Sequence, residues 1–354
     1  EVQVETGAGE LASFSDQEYE QAGAEIVLDA QKIFATSDVI MKVQPPAEHP
    51  GLKKDESELI KDGAVWIGFL APLNKTKAIR NFVQKNVTAF SMEFVPRITR
   101  AQSMDALSSM ATIAGYKAVL IAADHLGKIF PLLMTAAGTI PPANVFVLGA
   151  GVAGLQAIAT ARRLGAKVEA FDPRPAVEEQ VKSLGAQFVE MELPEEDVET
   201  EGGYAKAQSE AFLKKEQEAI AARLPKVDVV ITTAQIFGKK APVLITEEMV
   251  RMMPAGGVII DLAAEQGGNC ELTRAGETVQ KYGITIYGAV NLPATVPVHA
   301  SLMYSKNITN LFKQIFQEEN MDFEDEITKG ACITHQGKVV NDLVRAALEE
   351  GGTK

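Results

Sequence analysis

The chain has 354 residues, 46% of them hydrophobic and 23% charged, a composition that rules out a wholly disordered protein and suits two globular domains. Its formal net charge of −13 gives no positive field for nucleic acid or for an anionic membrane surface. Two cysteines, Cys270 and Cys332, and four histidines show no metal-ligand spacing and are too few for a disulfide framework, which points to a reducing compartment. No apolar run reaches the roughly 18 to 20 residues needed to cross a bilayer, and no signal peptide opens the chain. The expectation is a soluble protein that docks, if at all, on a membrane partner.

The opening EVQVETGAGE reads as a strand already under way, which suggests a truncated N-terminus. A helix is expected over Glu18–Ala30, then a strand over Asp38–Val43 and a loop marked by Pro45, Pro46 and Pro50. Ala64–Leu70 follows as a strand, Lys75–Gln84 as a helix and Thr88–Met92 as another strand, so this first region is itself α/β. Met104–Leu133 is a long apolar-periodic stretch, expected to be a helical connector between domains.

Val145–Asp172, VFVLGAGVAGLQAIATARRLGAKVEAFD, carries the strongest local signal. A buried-type strand, Val145–Leu148, runs into Gly149, Gly151 and Gly154, the G-x-G-x-x-G of a dinucleotide turn. The first glycine permits the turn, the second lets backbone approach a pyrophosphate, and the third allows close packing of helix on strand. The helix ends at Gly165, the strand Lys167–Phe171 follows, and Asp172 stands 18 positions past Gly154, where a carboxylate accepts the ribose hydroxyls of NAD. A lone glycine turn is weak evidence, and close packing in a protein without ligand would also use these glycines. Strand, helix and acid together favour a nucleotide. Asp172 opposes a 2′-phosphate by like charge. Arg174 leaves three roles open: serving a 2′-phosphate, stacking near adenine, or pairing with Asp172. NAD is favoured over NADP.

Glu190–Gly203 then holds seven acids and two adjacent glycines, and is either a solvated surface loop or a mobile flap carrying Tyr204. Val227–Thr232, Val258–Leu262 and Ile284–Tyr287 are compact apolar runs of parallel-strand type, which brings the strands of this domain to five. Two helices, Leu302–Phe316 and Val339–Glu349, close the chain, and the tail is expected to return to the first domain. The organisation is two Rossmann-like, doubly wound α/β domains with a cleft between them: residues 1–114 with 296–354, and 115–295.

Between the first domain's last strand and the connector lies VPRITRAQSMDALSS, with Arg97, Gln102, Asp105 and Ser108 in a loop and the first helical turns. A structural account is available, with Ser103 as an N-cap, Asp105 complementing the helix dipole and Arg97 a surface charge. No histidine, cysteine or lysine stands here to act as acid, base or nucleophile.

RITRAQSMDALSSM, TAAGTIPPANVFVLGAGVAG, GGYAKAQSEAF, TTAQIFGKKAPVLIT and DLAAEQGGNCE, in that order, closely resemble the NAD(H)-binding component of proton-translocating nicotinamide nucleotide transhydrogenase, from about Val4 to at least Leu311. The resemblance implies a homodimer that holds NAD(H) and exchanges hydride with NADP(H) on a partner component. A membrane component passes protons, and this chain is peripheral to it, on the cytoplasmic face in bacteria or in a matrix-type compartment. It implies that Gln102 bridges the NAD nicotinamide and the incoming partner while Arg97 and Asp105 hold loop, carboxamide or ribose. Ile98 and Thr99 would line the pocket through backbone, with Ser108 in support. Gly149, Gly151, Val152 and Gly154 would cradle the pyrophosphate, Asp172, Pro173 and Arg174 would hold the adenosine end, and Gly203 with Tyr204 would form a closing flap. Direct transfer between two nicotinamide rings needs no proton acceptor, so a polar loop suffices.

Alanine dehydrogenase is similar over both domains, but that family uses a lysine and a histidine in the first domain. Lys42 in IMKVQPP matches the lysine, whereas Phe69 in WIGFLAP stands in the histidine's place. A non-catalytic NAD-binding module is a third alternative. NLPATVPVHASLMYS matches the transhydrogenase pattern only in outline.

Overall fold

The computed structural model describes residues 1–190, 209–317 and 321–350. It divides into two compact units, one formed by residues 1–110 with 297–354 and the other by residues 111–296.

The second unit holds a seven-stranded sheet, in the order Gln187–Phe188, Lys167–Phe171, Asn144–Leu148, Val229–Thr232, Val258–Asp261, Ile284–Gly288 and Thr278–Lys281. The first six strands are parallel and the last is antiparallel. Its sequence order runs outward one way from Asn144–Leu148, then resumes on that strand's other side at Val229, with Val147 in register with both Ala170 and Ile231. Such a reversal leaves a crevice at the carboxyl end of the central strand, where ligands of open α/β sheets bind. Successive side chains of a strand point to opposite faces. Val145, Val147, Val229 and Ile231 accordingly fill one core, and Phe146, Leu148 and Val230 the other. Burial on both faces is why these strands read as unbroken apolar runs.

In the first unit a five-stranded sheet runs Lys338–Val339, Cys332–His335, Thr88–Ser91, Val65–Gly68, Val39–Lys42. The last three are parallel and Cys332–His335 pairs antiparallel with Thr88–Ser91. Trp66, Phe82 and Ile79 fill one face, and Phe90, Ile67 and Leu311 the other. A separate parallel pair, Gln3–Glu5 with Glu25–Val27, lies near the start of the chain.

Several elements differ from expectation. The helix expected over Glu18–Ala30 is two helices around a strand: Asp16–Gln21, Glu25–Val27 and Ala30–Thr36. Ser15 and Glu18 form a capping box, Gly23 at φ +92 follows the first helix, and Asp29 caps the second through Gln31 N. The connector is a helix only over Ala106–His125; beyond Gly127, and past Pro131 with its missing donor, the chain makes a hairpin, Leu133–Thr135 with Gly138–Ile140. Gln187–Phe188, Thr278–Lys281, Cys332–His335 and Lys338–Val339 are strands beyond those expected. Three of the four are edge strands and Cys332–His335 lies next to one, and two are only two residues long, too short to show a period.

Ala106–His125 also corrects the expectation about the bilayer, because by length and mean hydropathy, 1.4, it is apolar enough to cross a membrane. Ala118, Val119 and Ala122 of this helix are fully buried in the second unit's core, although only 33% of its apolar window is buried.

Candidate functional site

The strand Asn144–Leu148 delivers the chain to Gly149 at φ +95, where a Cβ would stand 2.4 Å from Thr233 Oγ1. That hydroxyl donates to the Leu148 and Gly149 carbonyls at 3.3 and 3.1 Å, closing the turn. A Cβ on Gly154 would lie 1.9 Å from the Gly149 carbonyl oxygen, so the helix Val152–Arg163 packs on its own turn only with glycine there. Gly151 differs. It precedes the helix with no side-chain cap, and a Cβ built on it meets nothing within 4 Å. Val152, the first helical residue, is partly exposed beside it. Open space at an uncapped helix N-terminus fits an anionic pyrophosphate, through helix dipole and backbone N–H groups.

Asp172 follows the next strand and is 5% exposed. Its Oδ1 accepts from Arg174 N and Nε at 2.9 and 2.8 Å, and its Oδ2 from Ala150 N and Arg174 Nη2 at 2.7 and 2.9 Å. These four bonds use about all the lone-pair sites of a carboxylate. Of the roles left open for Arg174, the structure has it paired with Asp172, across a half-buried Pro173. The acid therefore ties the glycine turn, through Ala150, to the segment after the second strand. Gly203 and Tyr204 lie outside the described residues.

Sequence reasoning misses Glu216. On the helix Glu210–Ala221 it shares the buried face with Phe212 and Ile220, is 3% exposed, and its Oε2 has no hydrogen-bond partner. Burial pushes its carboxyl up to about 8, the negative charge of Asp172 adding to the effect. The available signal is an acid at i+4 from one apolar anchor and i−4 from the next.

A second network organises the carboxyl ends of the neighbouring strands. Asp261, fully buried, accepts from Thr232 Oγ1, Ala263 N, Asn269 N, Cys270 N and Thr273 Oγ1 at 2.6–3.0 Å. Asn269 then accepts from Ala234 N at 3.1 Å and donates to the Ala234 and Pro242 carbonyls at 2.9 and 2.8 Å. A buried carboxylate with five donors fixes the loops after two strands next to Thr233. Burial pushes the Cys270 and Cys332 thiols up to about 11 and 12, which leaves both unreactive. Among the described residues no group of three or more acids, histidines or cysteines could hold a metal.

In the first unit, Thr88–Ser91 leads through the short 3-10 turn Met92–Phe94 to a second 3-10 segment, Thr99–Met104, and then to the long helix. Asp105 Oδ1 accepts from Ser108 N at 2.8 Å and Oδ2 from Ser108 Oγ at 2.6 Å. This is an N-cap bonded to the third helical residue, so the cap falls on Asp105 and not on Ser103. Arg97, Thr99 and Gln102 are exposed, while Ile98 packs against the core. Arg97, Ile98, Thr99, Gln102, Asp105 and Ser108 together line one pocket of about 580 Å³. Its lining offers a cation, a carboxylate engaged in capping, an amide and hydroxyls, with no lysine, histidine or cysteine.

Lys42 is engaged elsewhere: its ammonium bonds both carboxylate oxygens of Glu56, which is 3% exposed and also accepts from Ala47 N at 3.0 Å. Phe69 packs on Tyr304 with ring centroids 5.3 Å apart, and Tyr304 Oη donates to the Lys42 carbonyl at 2.8 Å. These contacts make Lys42 and Phe69 parts of a packed, ion-paired wall.

Residues 1–114 match the model of the alanine dehydrogenase/PNT N-terminal domain, and residues 118–342 that of the C-terminal domain. An NAD(P) transhydrogenase subunit alpha chain of Rhodospirillum rubrum is 48% identical, over 96% of this chain and 90% of that protein. A solved transhydrogenase structure from Sinorhizobium meliloti superposes with a TM-score of 0.83 at 43% identity, covering 96% of this chain and 91% of the other. Alanine dehydrogenase 2 of Staphylococcus aureus is 31% identical over 98% of this chain and 88% of its own length. With both domain models matched in order, and greater identity to these two transhydrogenases than to this dehydrogenase, the chain belongs to the alanine dehydrogenase/PNT family.

Proposed function

We propose that this chain is the NAD(H)-binding component of a proton-translocating transhydrogenase, holding NAD(H) for hydride exchange with NADP(H) on a partner component. The observation that carries this reading is the pocket at Arg97–Ser108: six polar or backbone-presenting residues are gathered, and none of its lining is free to act as a base. Oxidising an amino acid needs a base and a cation for the carboxylate, whereas exchange between nicotinamides needs position and exclusion of water. Lys42, the cation such a dehydrogenase would use, is neutralised by Glu56.

The bound nicotinamide supplies the carbon that gives or takes hydride, and the chain's own residues bind and orient it. Gly149, Gly151, Val152 and Gly154 receive the pyrophosphate at backbone, and Asp172, Pro173 and Arg174 form the adenosine end. Gln102 meets the nicotinamide and the partner component, with Arg97 and Asp105 holding the loop and Ile98, Thr99 and Ser108 completing the pocket. A homodimer peripheral to a membrane complex completes the proposal. Support for the second copy comes from the Leu133–Ile140 hairpin, where Met134 and Ile140, with Leu132 just before it, are 78%, 42% and 52% exposed.

Mixing experiments test the reading. Exchange between NADH and an NADP analogue should appear when the chain meets an NADP(H)-binding transhydrogenase component. Reduction of pyruvate with ammonia and NADH by the chain alone would overturn it, and NADH binding with neither activity would favour the non-catalytic module.

A further inference from the structure

The segment Thr99–Met104 is six residues of 3-10 helix, longer than such runs usually persist, entered by a bond from Ala101 N to Ile98 O at 3.0 Å and left by one from Asp105 N to Gln102 O at 3.3 Å. Side-chain ties from far along the chain also hold it. Asn307 and Asn310, one turn apart on the helix Pro297–Ile315, both donate their Nδ2 to the Ser103 carbonyl, at 2.9 and 3.3 Å. Arg100 meanwhile donates from Nη1 and Nη2 to Asp325 Oδ2 at 3.0 and 3.1 Å, while Asp325 Oδ1 caps the next helix at Ile327 N and Thr328 N. Gln102 is thus exposed between two tied residues.

Asn307 occupies a costly position for an amide. It lies on the helix's buried face with Tyr304, Ile308 and Leu311, is 6% exposed, and its Oδ1 has no partner. A buried amide oxygen without a donor costs more than its paired nitrogen returns, so an aliphatic residue there would suit stability better. Residues that break a local rule in this way are expected where function fixes them.

We propose that Asn307, assisted by Asn310, is a positioning residue for Gln102: by holding the Ser103 carbonyl it fixes the peptide that follows Gln102 and so the direction in which the Gln102 amide is presented. This rests on the transhydrogenase reading. Small displacements of a positioning group lower transfer rates far more than affinity.

The test uses the complex of this chain with an NADP(H)-binding component, comparing wild type with Asn307→Leu and Asn307→Asp. Asn307→Leu should lower the maximal exchange rate about tenfold or more, leave the KM for NADH within about twofold, and keep or raise Tm. Asn307→Asp should exchange well at low pH, where its protonated carboxyl donates to the Ser103 carbonyl. It should lose rate as pH rises and that carboxyl ionises, a limb absent from wild type. A full rate in Asn307→Leu, or a rate loss matched by a fall in Tm, would overturn the assignment. Amide hydrogen exchange keeps this separate from the reading beneath it. Whether or not wild type shows nucleotide exchange, Asn307→Leu should speed amide exchange over residues 99–105 by up to about tenfold, and unchanged protection there would sink the clamp.

Discussion

Around Gly149 the chain turns its polar groups on itself: Asp172 takes four hydrogen bonds and Asp261 five, all from backbone amides, neighbouring hydroxyls or the Arg174 guanidinium. Around Gln102 the same chain leaves side chains exposed on a 3-10 segment fastened by two distant amides and a surface ion pair. The first region works by backbone shape and room, the second by the aim of individual side chains. Substitutions in the first should therefore change whether a nucleotide binds, and in the second how fast hydride moves.

The largest effect is expected at Gly154. Its Cβ would fall 1.9 Å from a carbonyl oxygen, so Gly154→Ala should open the turn and weaken NADH binding about 100-fold or more, with about 1–3 kcal/mol lost from the fold. Gly151→Ala sharpens the contrast, because the space there is open: Tm should hold while NADH affinity, read by fluorescence titration, falls about tenfold. Gly151→Ala binding NADH normally would break the claim that the turn works by leaving room.

Next comes Gln102→Asn, which shortens an exposed amide by one methylene. Exchange should slow by about 100-fold with NADH affinity nearly unchanged, and a parallel loss of both would erase the distinction between the two regions. Asp172→Asn leaves Arg174 without its buried partner and should cost about 3 kcal/mol in denaturant unfolding.

The last test is a pH slope. Glu216 titrates at about 8 in the fold and near the ordinary 4.5 when unfolded. Between those values the folded chain keeps a proton that the unfolded chain has released, so stability falls as pH rises from about 4.5 to about 8 and levels above. Glu216→Gln should remove that slope, and identical Tm profiles for variant and wild type would show that the carboxyl is not held neutral.

The contrast also explains what is legible in the sequence. Gly149, Gly151, Gly154 and Asp172 announce themselves because strand, turn, helix and acid follow within one short stretch. Arg97, Gln102 and Asp105 carry no such local grammar and are assigned by resemblance, although their gathering into one pocket is plain in the fold. Asn307 is invisible in the sequence, since its partner Ser103 stands 204 positions earlier. The short strands at and near the sheet edges escape for want of a period, and the Glu18–Ala30 helix is overextended because a capping box and a glycine stop outweigh apolar spacing.

The fork between Arg174 and Asp172 bears on how the chain would tell its dinucleotide from the phosphorylated one. A guanidinium near the ribose is the usual handle for a 2′-phosphate, and here its Nε and Nη2 already donate to a carboxylate that also holds the glycine turn. An NADP molecule would have to prise the arginine away and loosen the turn that seats its own pyrophosphate. On the proposed function, discrimination is achieved by pre-emption: the wrong ligand is met by a cation that is already taken.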